Sequence, residues 1–205
     1  MSFTSAGKAA FTAALLVTAM WQAGHAATLE VELRAAGGEP VEDAVVYLRS
    51  GKTRGLPLRA ADARIDQIDK TFVPLVSVVQ TGTRITFPNK DNIRHHVYSF
   101  SKAKRFEIKL YADTPAKPVL FDKPGYVVMG CNIHDTMIAH LLVVDTPWFA
   151  KSDRQGRASL RDVPPGDYSL IVWYYMRPDK DALASRVSLR GDEKRTLVVK
   201  TRASE

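Results

Sequence analysis

Residues 126–144 read Tyr-Val-Val-Met-Gly-Cys-Asn-Ile-His-Asp-Thr-Met-Ile-Ala-His-Leu-Leu-Val-Val. Two apolar runs, Tyr126–Gly130 and Ile138–Val144, flank a short polar segment, which is typical of two strands joined by a loop. The loop carries Cys131, His134 and Met137. Because a loop need not follow the alternation of a strand, all three side chains can point at one spot. The stretch therefore predicts a strand pair that presents a thiol, an imidazole and a thioether together.

Short apolar runs separated by Gly, Pro and Asn continue along most of the chain, and helical periodicity is nearly absent. Thr28–Arg34 alternates apolar and polar residues, which predicts a half-buried strand. Pro74 indicates an edge or a bulge within Phe72–Val79. Further strands are predicted at Ala44–Leu48, Arg84–Phe87, His95–Phe100, Lys104–Tyr111, Val119–Asp122, Ser169–Tyr174, Arg186–Leu189 and Arg195–Lys200, and a loop at Ser50–Arg64. This pattern predicts an all-β protein built as a sandwich or barrel.

The pattern of the sequence changes after the run Asp145-Thr146-Pro147. Turn-rich sequence around Ser152–Gly156 and Val163–Asp167 follows, and then another series of short strands. We therefore predict two domains, at residues 27–147 and 148–205.

The first 26 residues have the features of a cleavable export signal. Lys8 supplies the positive start, an apolar stretch runs from Ala9 to Trp21, and Gly24-His25-Ala26 offers small residues for cleavage. The apolar stretch is short for a membrane span, which needs about 20 residues, although an uncleaved anchor is the alternative. We expect a periplasmic protein with no transmembrane segment once the signal is removed.

The chain is basic, with 29 Lys and Arg against 22 Asp and Glu and a formal charge of +7. A basic surface favours an acidic partner or an anionic membrane surface. Nucleic acid is not expected as a partner, because no basic run is interleaved with aromatic residues and the expected compartment is wrong.

Cys131 is the only cysteine of the chain, so no internal disulfide can form. In an oxidising compartment a lone thiol must be buried, paired with another chain or bound to a metal. Burial as a small hydrophobic side chain is the usual explanation for one such residue. The neighbouring His134 and Met137 favour the metal.

A thiolate, an imidazole and a thioether need only a second imidazole to complete the ligand set of a blue copper centre. His95 and His96 both precede a predicted strand, and neighbouring strand residues face opposite sides, so one of the two is expected to reach the metal. The sequence pattern does not decide between them. Asp91 and Asp135 flank the candidate ligands and leave iron or a redder copper site as an alternative. His140 is expected to face solvent or the domain boundary.

The run Asn89–Val97 followed by Cys131, His134 and Met137 resembles the small blue copper proteins, the cupredoxins, and the ligand spacing is similar to that of amicyanins. The resemblance implies a Greek-key β-sandwich, one mononuclear copper, and His95, Cys131, His134 and Met137 as its ligands. His96 stands where cupredoxins usually carry Asn. The resemblance also implies that electrons leave through His134, with Ile133, Ile138 and Met129 as apolar neighbours of a partner.

Residues 28–175 also look like a group of exported bacterial proteins labelled methylamine-utilisation or plastocyanin-like. The runs that carry this similarity are His95–Ser101, Phe121–Gly125, Gly130–Asp135 and Asp145–Pro147. Residues 148–205 look similar to small immunoglobulin-like or regulatory β-sandwich modules, for which a structural role is expected.

These patterns predict a monomeric electron carrier that serves a periplasmic amine-oxidising or respiratory chain. A c-type cytochrome or a dehydrogenase would be its redox partner. We expect no enzymatic activity, because the sequence places no nucleophile–base pair or acid pair. A copper-handling protein without a carrier role and a metal-free structural sandwich are the alternatives.

Overall fold

A computed structural model of the chain describes residues 26–51, 61–115, 117–177 and 184–201. The predicted signal therefore lies, except for Ala26, outside the described residues. These residues form seventeen strands: β1 (Ala27–Arg34), β2 (Ala44–Arg49), β3 (Asp62–Arg64), β4 (Asp66–Ile68), β5 (Thr71–Val73), β6 (Val76–Gln80), β7 (Thr83–Thr86), β8 (His95–Ser101), β9 (Lys104–Tyr111), β10 (Val119–Phe121), β11 (Gly125–Gly130), β12 (Ile138–Val144), β13 (Phe149–Lys151), β14 (Arg157–Val163), β15 (Gly166–Tyr174), β16 (Ala184–Leu189) and β17 (Glu193–Val198). The predicted all-β sandwich class is confirmed. No helix in the described part is long and apolar enough to cross a membrane.

One sandwich is built from β3 to β12. Its larger sheet has the strand order β6-β12-β11-β8-β9, and it faces a smaller sheet of order β10-β7-β3 and the β4–β5 pair. Alternate residues of these strands point between the sheets into one apolar core. That core contains Phe72, Ile85, Phe87, Val97, Phe121, Val127, Met129, Cys131, Met137 and Leu141, all buried.

A second sandwich brings the two ends of the described chain together. β1 pairs antiparallel with β14 and parallel with β17, and β2 lies between β13 and β15 in the facing sheet. Their shared core is buried and apolar, with Leu29, Val31, Leu33, Val46, Leu48, Leu160, Leu170 and Val172 among its members. The first sandwich is thus inserted in the chain between β2 and β13.

This pairing differs from the predicted division at residue 147. The sequence pattern places residues 27–49 in the first domain, but β1 and β2 are paired with strands of the second. The physical reason is that alternation along β1 shows that one face is buried without showing which strand covers it. Strand pairing between positions far apart in sequence decides that question.

The two sandwiches meet through a third apolar cluster. Val45 of β2 and Trp173 of β15 pack with Val76, Leu142 and Val144 of the larger sheet. β2 and β12 are consequently buried on both faces, since Val46 and Leu141 point into the two sandwich cores. Strands buried on both faces read as continuous apolar runs, as Ala44–Leu48 and Ile138–Val144 do.

Two local expectations are changed by the structure. The predicted strand Phe72–Val79 is divided into β5 and β6, and Pro74 lies between them, which follows from the missing N–H group of proline. The predicted loop Ser50–Arg64 ends in the short strand β3, and part of that loop, residues 52–60, lies outside the described residues.

Candidate metal centre

The candidate site lies at one end of the larger sheet, where two neighbouring strands contribute to it. His95 begins β8, and Cys131 directly follows β11. β11 pairs with both β8 and β12, and at its last residue Gly130 lies opposite Tyr98 of β8 and Ile138 of β12. The short loop from β11 to β12 therefore closes beside the start of β8.

His95, Cys131 and His134 form one cluster, and their potential ligand atoms all lie within 4.8 Å of one another. The Nδ1 atom of His95 is 3.8 Å from the Sγ atom of Cys131. The two imidazole rings have centroids 5.3 Å apart and planes inclined by 59°. Two nitrogen donors and one sulfur donor thus surround a single small volume.

His95 is held by an acidic residue on its far side. Its Nε2 atom lies 2.7 Å from Oδ2 of Asp91, and the side chain of His95 is completely buried. A carboxylate accepts a hydrogen bond from an N–H group, so the proton of a neutral His95 belongs on Nε2. The unprotonated Nδ1 then faces Cys131, which is the arrangement that a metal-binding histidine requires.

The carboxylate of Asp91 is itself fixed. Its two oxygens accept hydrogen bonds from the backbone N–H groups of Asp69 and Lys70, at 2.7 and 2.9 Å. Burial acts to raise the pKa of Asp91, but the hydrogen bonds from Lys70, His95 and Asp69 outweigh it and hold the pKa below its usual value. Asp91 is therefore a carboxylate that orients His95.

The loop before His95 is organised by Asn89. The side-chain amide of Asn89 donates to the backbone oxygens of Ile93 and Tyr111, at 2.7 and 3.2 Å. Its Oδ1 atom accepts from the backbone N–H group of Asp91 at 3.0 Å. This buried asparagine closes the loop and places Asp91 beside His95.

His134 supplies the observation that tests whether the site suits a metal. Its Nδ1 atom is buried and has no hydrogen-bond partner in the described part of the chain. A buried polar atom without a partner costs free energy and calls for an explanation such as an ion. Because His134 belongs to a cluster with a thiol and a second imidazole, a thiophilic metal ion would account for this nitrogen.

Met137 lies close by in the chain and is buried, with 1% of its surface exposed, in the same apolar cluster as Cys131. Its backbone N–H group donates to the carbonyl oxygen of His134 at 3.0 Å. This hydrogen bond closes a turn from His134 to Met137 within the loop.

His96 lies outside the cluster. Its Nε2 atom is 2.9 Å from Oε1 of Glu107, and its ring lies 5.6 Å from that of Tyr98. The pairing of β8 with β9 shifts register between His95 and Val97, and both histidines are buried. The structure brings His95 to Cys131 and His134, and it turns His96 towards β9.

The remaining sequence candidates take other places. Asp135 is exposed in the loop. His140 lies at the boundary between the sandwiches, where its Nδ1 atom is 2.5 Å from the hydroxyl oxygen of Tyr126 and its ring lies 4.9 Å from that of Tyr175. Burial lowers the pKa of His140.

The surface expected around the site is present in part. Ile133 and Ile138 are 48% and 42% exposed, whereas Met129 is fully buried in the core. The expectation that Met129 contributes to a partner surface is therefore wrong, because it occupies an inward position of β11.

Two residues near the site were not found from the sequence. The hydroxyl group of Tyr111 donates to the carbonyl oxygen of Phe87 at 2.7 Å, and the side-chain amide of Gln67 donates to the hydroxyl oxygen of Tyr111 and to the same carbonyl. Burial raises the pKa of Tyr111 to about 12. Tyr111 and Gln67 thus hold the backbone at Phe87, just before the Asn89 loop. The sequence pattern contains no signal that marks a fully buried glutamine.

Comparison with known proteins gives similarity at the level of structure alone. No family model matches the sequence, and no curated protein matches it. The solved structures similar to this chain include cupredoxins. A purple cupredoxin from Nitrosopumilus maritimus is 19% identical, with a TM-score of 0.36, over 40% of this chain and 99% of that protein. Amicyanin from Paracoccus versutus is 13% identical, with a TM-score of 0.34, over 48% of this chain and 97% of that protein.

A copper-containing nitrite reductase from Thermus scotoductus is also similar. It is 22% identical, with a TM-score of 0.37, and the match covers 48% of this chain and 25% of the reductase. These three structural neighbours, two cupredoxins and a copper enzyme, are at most 22% identical to this chain and cover less than half of its length.

Proposed function

We propose that this protein is an exported type-1 copper protein that carries single electrons in the periplasm, for an amine-oxidising or respiratory chain. The observation that carries the proposal is the cluster of His95, Cys131 and His134, with donor atoms within 4.8 Å of one another. Two imidazoles and a thiolate in one plane, with a weak thioether on the axis, form the ligand set of blue copper centres. Met137, which is buried in the same apolar cluster as Cys131, would supply the thioether.

The residues around the cluster provide a rigid setting. A bound copper would supply a one-electron couple between Cu(I) and Cu(II). Asp91 keeps the Nε2 proton of His95 in place and thereby presents Nδ1 as a donor. Asn89 holds the loop that carries Asp91. Because these hydrogen bonds fix the imidazole and the loop, the donor atoms would need little rearrangement between the oxidation states of a bound copper.

The loop also sets where electrons would pass. Cys131 and His95 are 3% and 0% exposed, so a partner does not touch them directly. His134 is half-buried, and the exposed Ile133 precedes it. We assign electron exchange to the edge of His134, in an apolar surface that excludes water from the contact with a c-type cytochrome or dehydrogenase.

The burial of His95 and Cys131, which are 0% and 3% exposed, supports a carrier over an enzyme that binds a substrate at its metal. Outer-sphere transfer needs contact and a short path, and it needs no open coordination position. A monomer satisfies these requirements, since all three donors of the cluster come from one chain.

A redox titration of the copper-loaded protein tests the proposal. We expect one copper per chain and a reversible one-electron couple that survives repeated reduction by ascorbate and oxidation by ferricyanide. A protein that takes up more than one Cu(I) per chain, or that releases the metal on oxidation, would be a copper-handling protein instead. If the protein takes up no copper, the metal-free structural sandwich is the alternative that remains.

A further inference from the structure

A cavity lies where the two sandwiches meet. It has a volume of about 340 Å³, and both sandwiches contribute to its lining, which consists of Ala61, Ala63, Val78, Val79, Gln80, Thr83, Pro147 and Phe149. We call it the junction cavity. Concave surfaces at the boundary between two folded units are common binding sites for small molecules.

The junction cavity is far from the candidate metal centre. β12 leaves the metal loop at Ile138 and ends at Val144, which pairs with Gln80 of β6. At about 3.3 Å per residue, this length of strand separates the loop from the cavity by roughly 20 Å. A molecule in the cavity would not touch the candidate copper ligands, so the inference does not depend on the proposed electron-carrier function.

The walls of the junction cavity are mainly apolar. Only Gln80 and Thr83 among its lining residues carry polar side chains. A second concavity of about 250 Å³ shares Ala63, Val78 and Val79 with it, so the apolar surface continues along β6. An apolar molecule placed against this surface is removed from water, which favours its binding.

Gln80 supplies the observation that points to a ligand. It is 5% exposed, and its Nε2 atom is buried without a hydrogen-bond partner in the described part of the chain. The other polar residue of the wall, Thr83, donates its hydroxyl hydrogen to the backbone oxygen of Gln80 at 2.7 Å. The amide of Gln80 is thus an unpaired donor in the wall of the cavity, and a buried donor of this kind calls for an acceptor.

The charges beside the cavity are already paired. Arg64 and Lys151 line the adjoining concavity. The Nε atom of Arg64 lies 3.0 Å from Oδ1 of Asp66, and the Nζ atom of Lys151 lies 2.5 Å from Oδ1 of Asp43. A charged ligand would lose its hydration without gaining a free counter-ion from these two residues, so the lining favours an uncharged molecule.

We propose that the junction cavity binds a small, uncharged, lipophilic molecule that carries a carbonyl group or a similar acceptor. The acceptor takes the hydrogen bond that Nε2 of Gln80 offers, and the apolar walls hold the hydrocarbon part. Because the walls belong to both sandwiches, binding stabilises the folded arrangement of the two.

Two ligands of nearly equal shape provide the test. Acetophenone carries a carbonyl oxygen where α-methylstyrene carries a methylene group, so only acetophenone accepts a hydrogen bond. Both are titrated into the isotope-labelled, metal-free, full-length protein, and the backbone amide signals are followed by NMR. We expect saturable shifts at Val78, Val79 and Thr83. We also expect acetophenone to bind at least as tightly as α-methylstyrene, although it is the less lipophilic of the two.

Gln80→Leu removes the amide and keeps the cavity apolar. We expect this change to weaken acetophenone binding by about five- to tenfold and to leave α-methylstyrene binding unchanged. The Tm of the ligand-free protein should not fall, because the amide nitrogen has no partner to lose.

A second pair of variants tests the location. Ala61 lines the cavity and is exposed, so Ala61→Trp should fill its mouth and abolish the binding of both ligands. Ala184 is also exposed but lies on β16, away from the cavity lining. Ala184→Trp should therefore bind both ligands as wild type does.

Equal weakening of the two ligands in Gln80→Leu, or a lower Tm of that variant without ligand, would overturn the proposal. Retained binding in Ala61→Trp, shifts outside the cavity lining or the absence of saturable binding would do so as well. If Gln80→Leu does not fold, the order of the two affinities in wild type and their loss in Ala61→Trp decide the matter. None of these outcomes bears on the electron-carrier proposal, because the titrations are made without copper.

Discussion

The Nδ1 atom of His95 lies 3.8 Å from the Sγ atom of Cys131, although 36 positions separate the two residues in the chain. The contact exists because β8 and β11 are neighbours in one sheet. Nδ1 is free to face the sulfur because Asp91 occupies the other nitrogen of the ring. The geometry of the candidate centre thus depends on a residue that would not itself touch the metal.

Replacing Asp91 by Ala should weaken copper binding. The change removes the acceptor for Nε2 of His95 and leaves two backbone N–H groups without their partner. Loss of such a supporting residue typically lowers metal affinity by about 10–100-fold. Competition against a Cu(I) chelator measures the effect, with Asp135→Ala, an exposed change in the same region, as the control. Equal affinities for the two variants would contradict the orienting role of Asp91.

The stability of the metal-free protein should fall as the pH drops below about 6.5, in part because of His140. Burial lowers the pKa of His140 from its ordinary value of 6.5, so the unfolded chain binds a proton that the folded protein does not. Stability is then present above the unfolded pKa and lost as the pH falls below it. Urea unfolding from pH 7 to pH 5 should give a smaller loss for His140→Gln than for wild type. An equal loss of stability in wild type and His140→Gln would show that the folded protein protonates His140 as readily as the unfolded chain does.

Gly130 should tolerate no side chain without cost. An added Cβ atom would meet the ring of Tyr98 at 3.0 Å, and crowding of this kind destabilises a protein by about 1–3 kcal/mol. Gly191 is the matched control, because nothing lies within 4 Å of a Cβ atom there. Thermal unfolding should show a lower Tm for Gly130→Ala and an almost unchanged Tm for Gly191→Ala. A loss of stability in both variants would point to backbone effects instead.

Much of the site was predictable because its signals are local. The spacing of Cys131, His134 and Met137 lies within one loop, and the strands on either side follow from short apolar runs. The structure places Cys131 and His134 in one cluster and Met137 in the same core. Alternation along β8 also predicted that His95 and His96 face different ways, but it did not choose between them. Which histidine reaches the cluster depends on the contact of His95 with Asp91 and of His96 with Glu107. Both contacts form only in the folded protein.

The domain organisation was less predictable. β1 alternates as expected, but its partners β14 and β17 come from the other end of the chain. Pairing of this kind is set by which apolar faces fit together in three dimensions, and no single run of sequence contains that information. The position of His140, between Tyr126 and Tyr175, is likewise set by packing in three dimensions.

The two adjacent histidines allow a paired test of the ligand assignment. His95→Ala should abolish the visible absorption of the copper-loaded protein, because it removes a nitrogen of the cluster. His96→Ala should keep the band, since its Nε2 atom contacts Glu107 and its ring lies outside the cluster. Absorption spectra at equal copper loading compare the two. A band lost only in His96→Ala would reverse the assignment.

The absorption and electron paramagnetic resonance spectra of the Cu(II)-loaded full-length protein, recorded beside those of Cys131→Ser, test the central claim most directly. Cys131 is the sulfur donor of the cluster, and its thiolate is the ligand that gives blue copper its character. We predict one Cu(II) per chain with an intense visible thiolate-to-copper band, and loss of that band in Cys131→Ser. Copper bound without a visible band, or a band that persists in Cys131→Ser, would contradict the account.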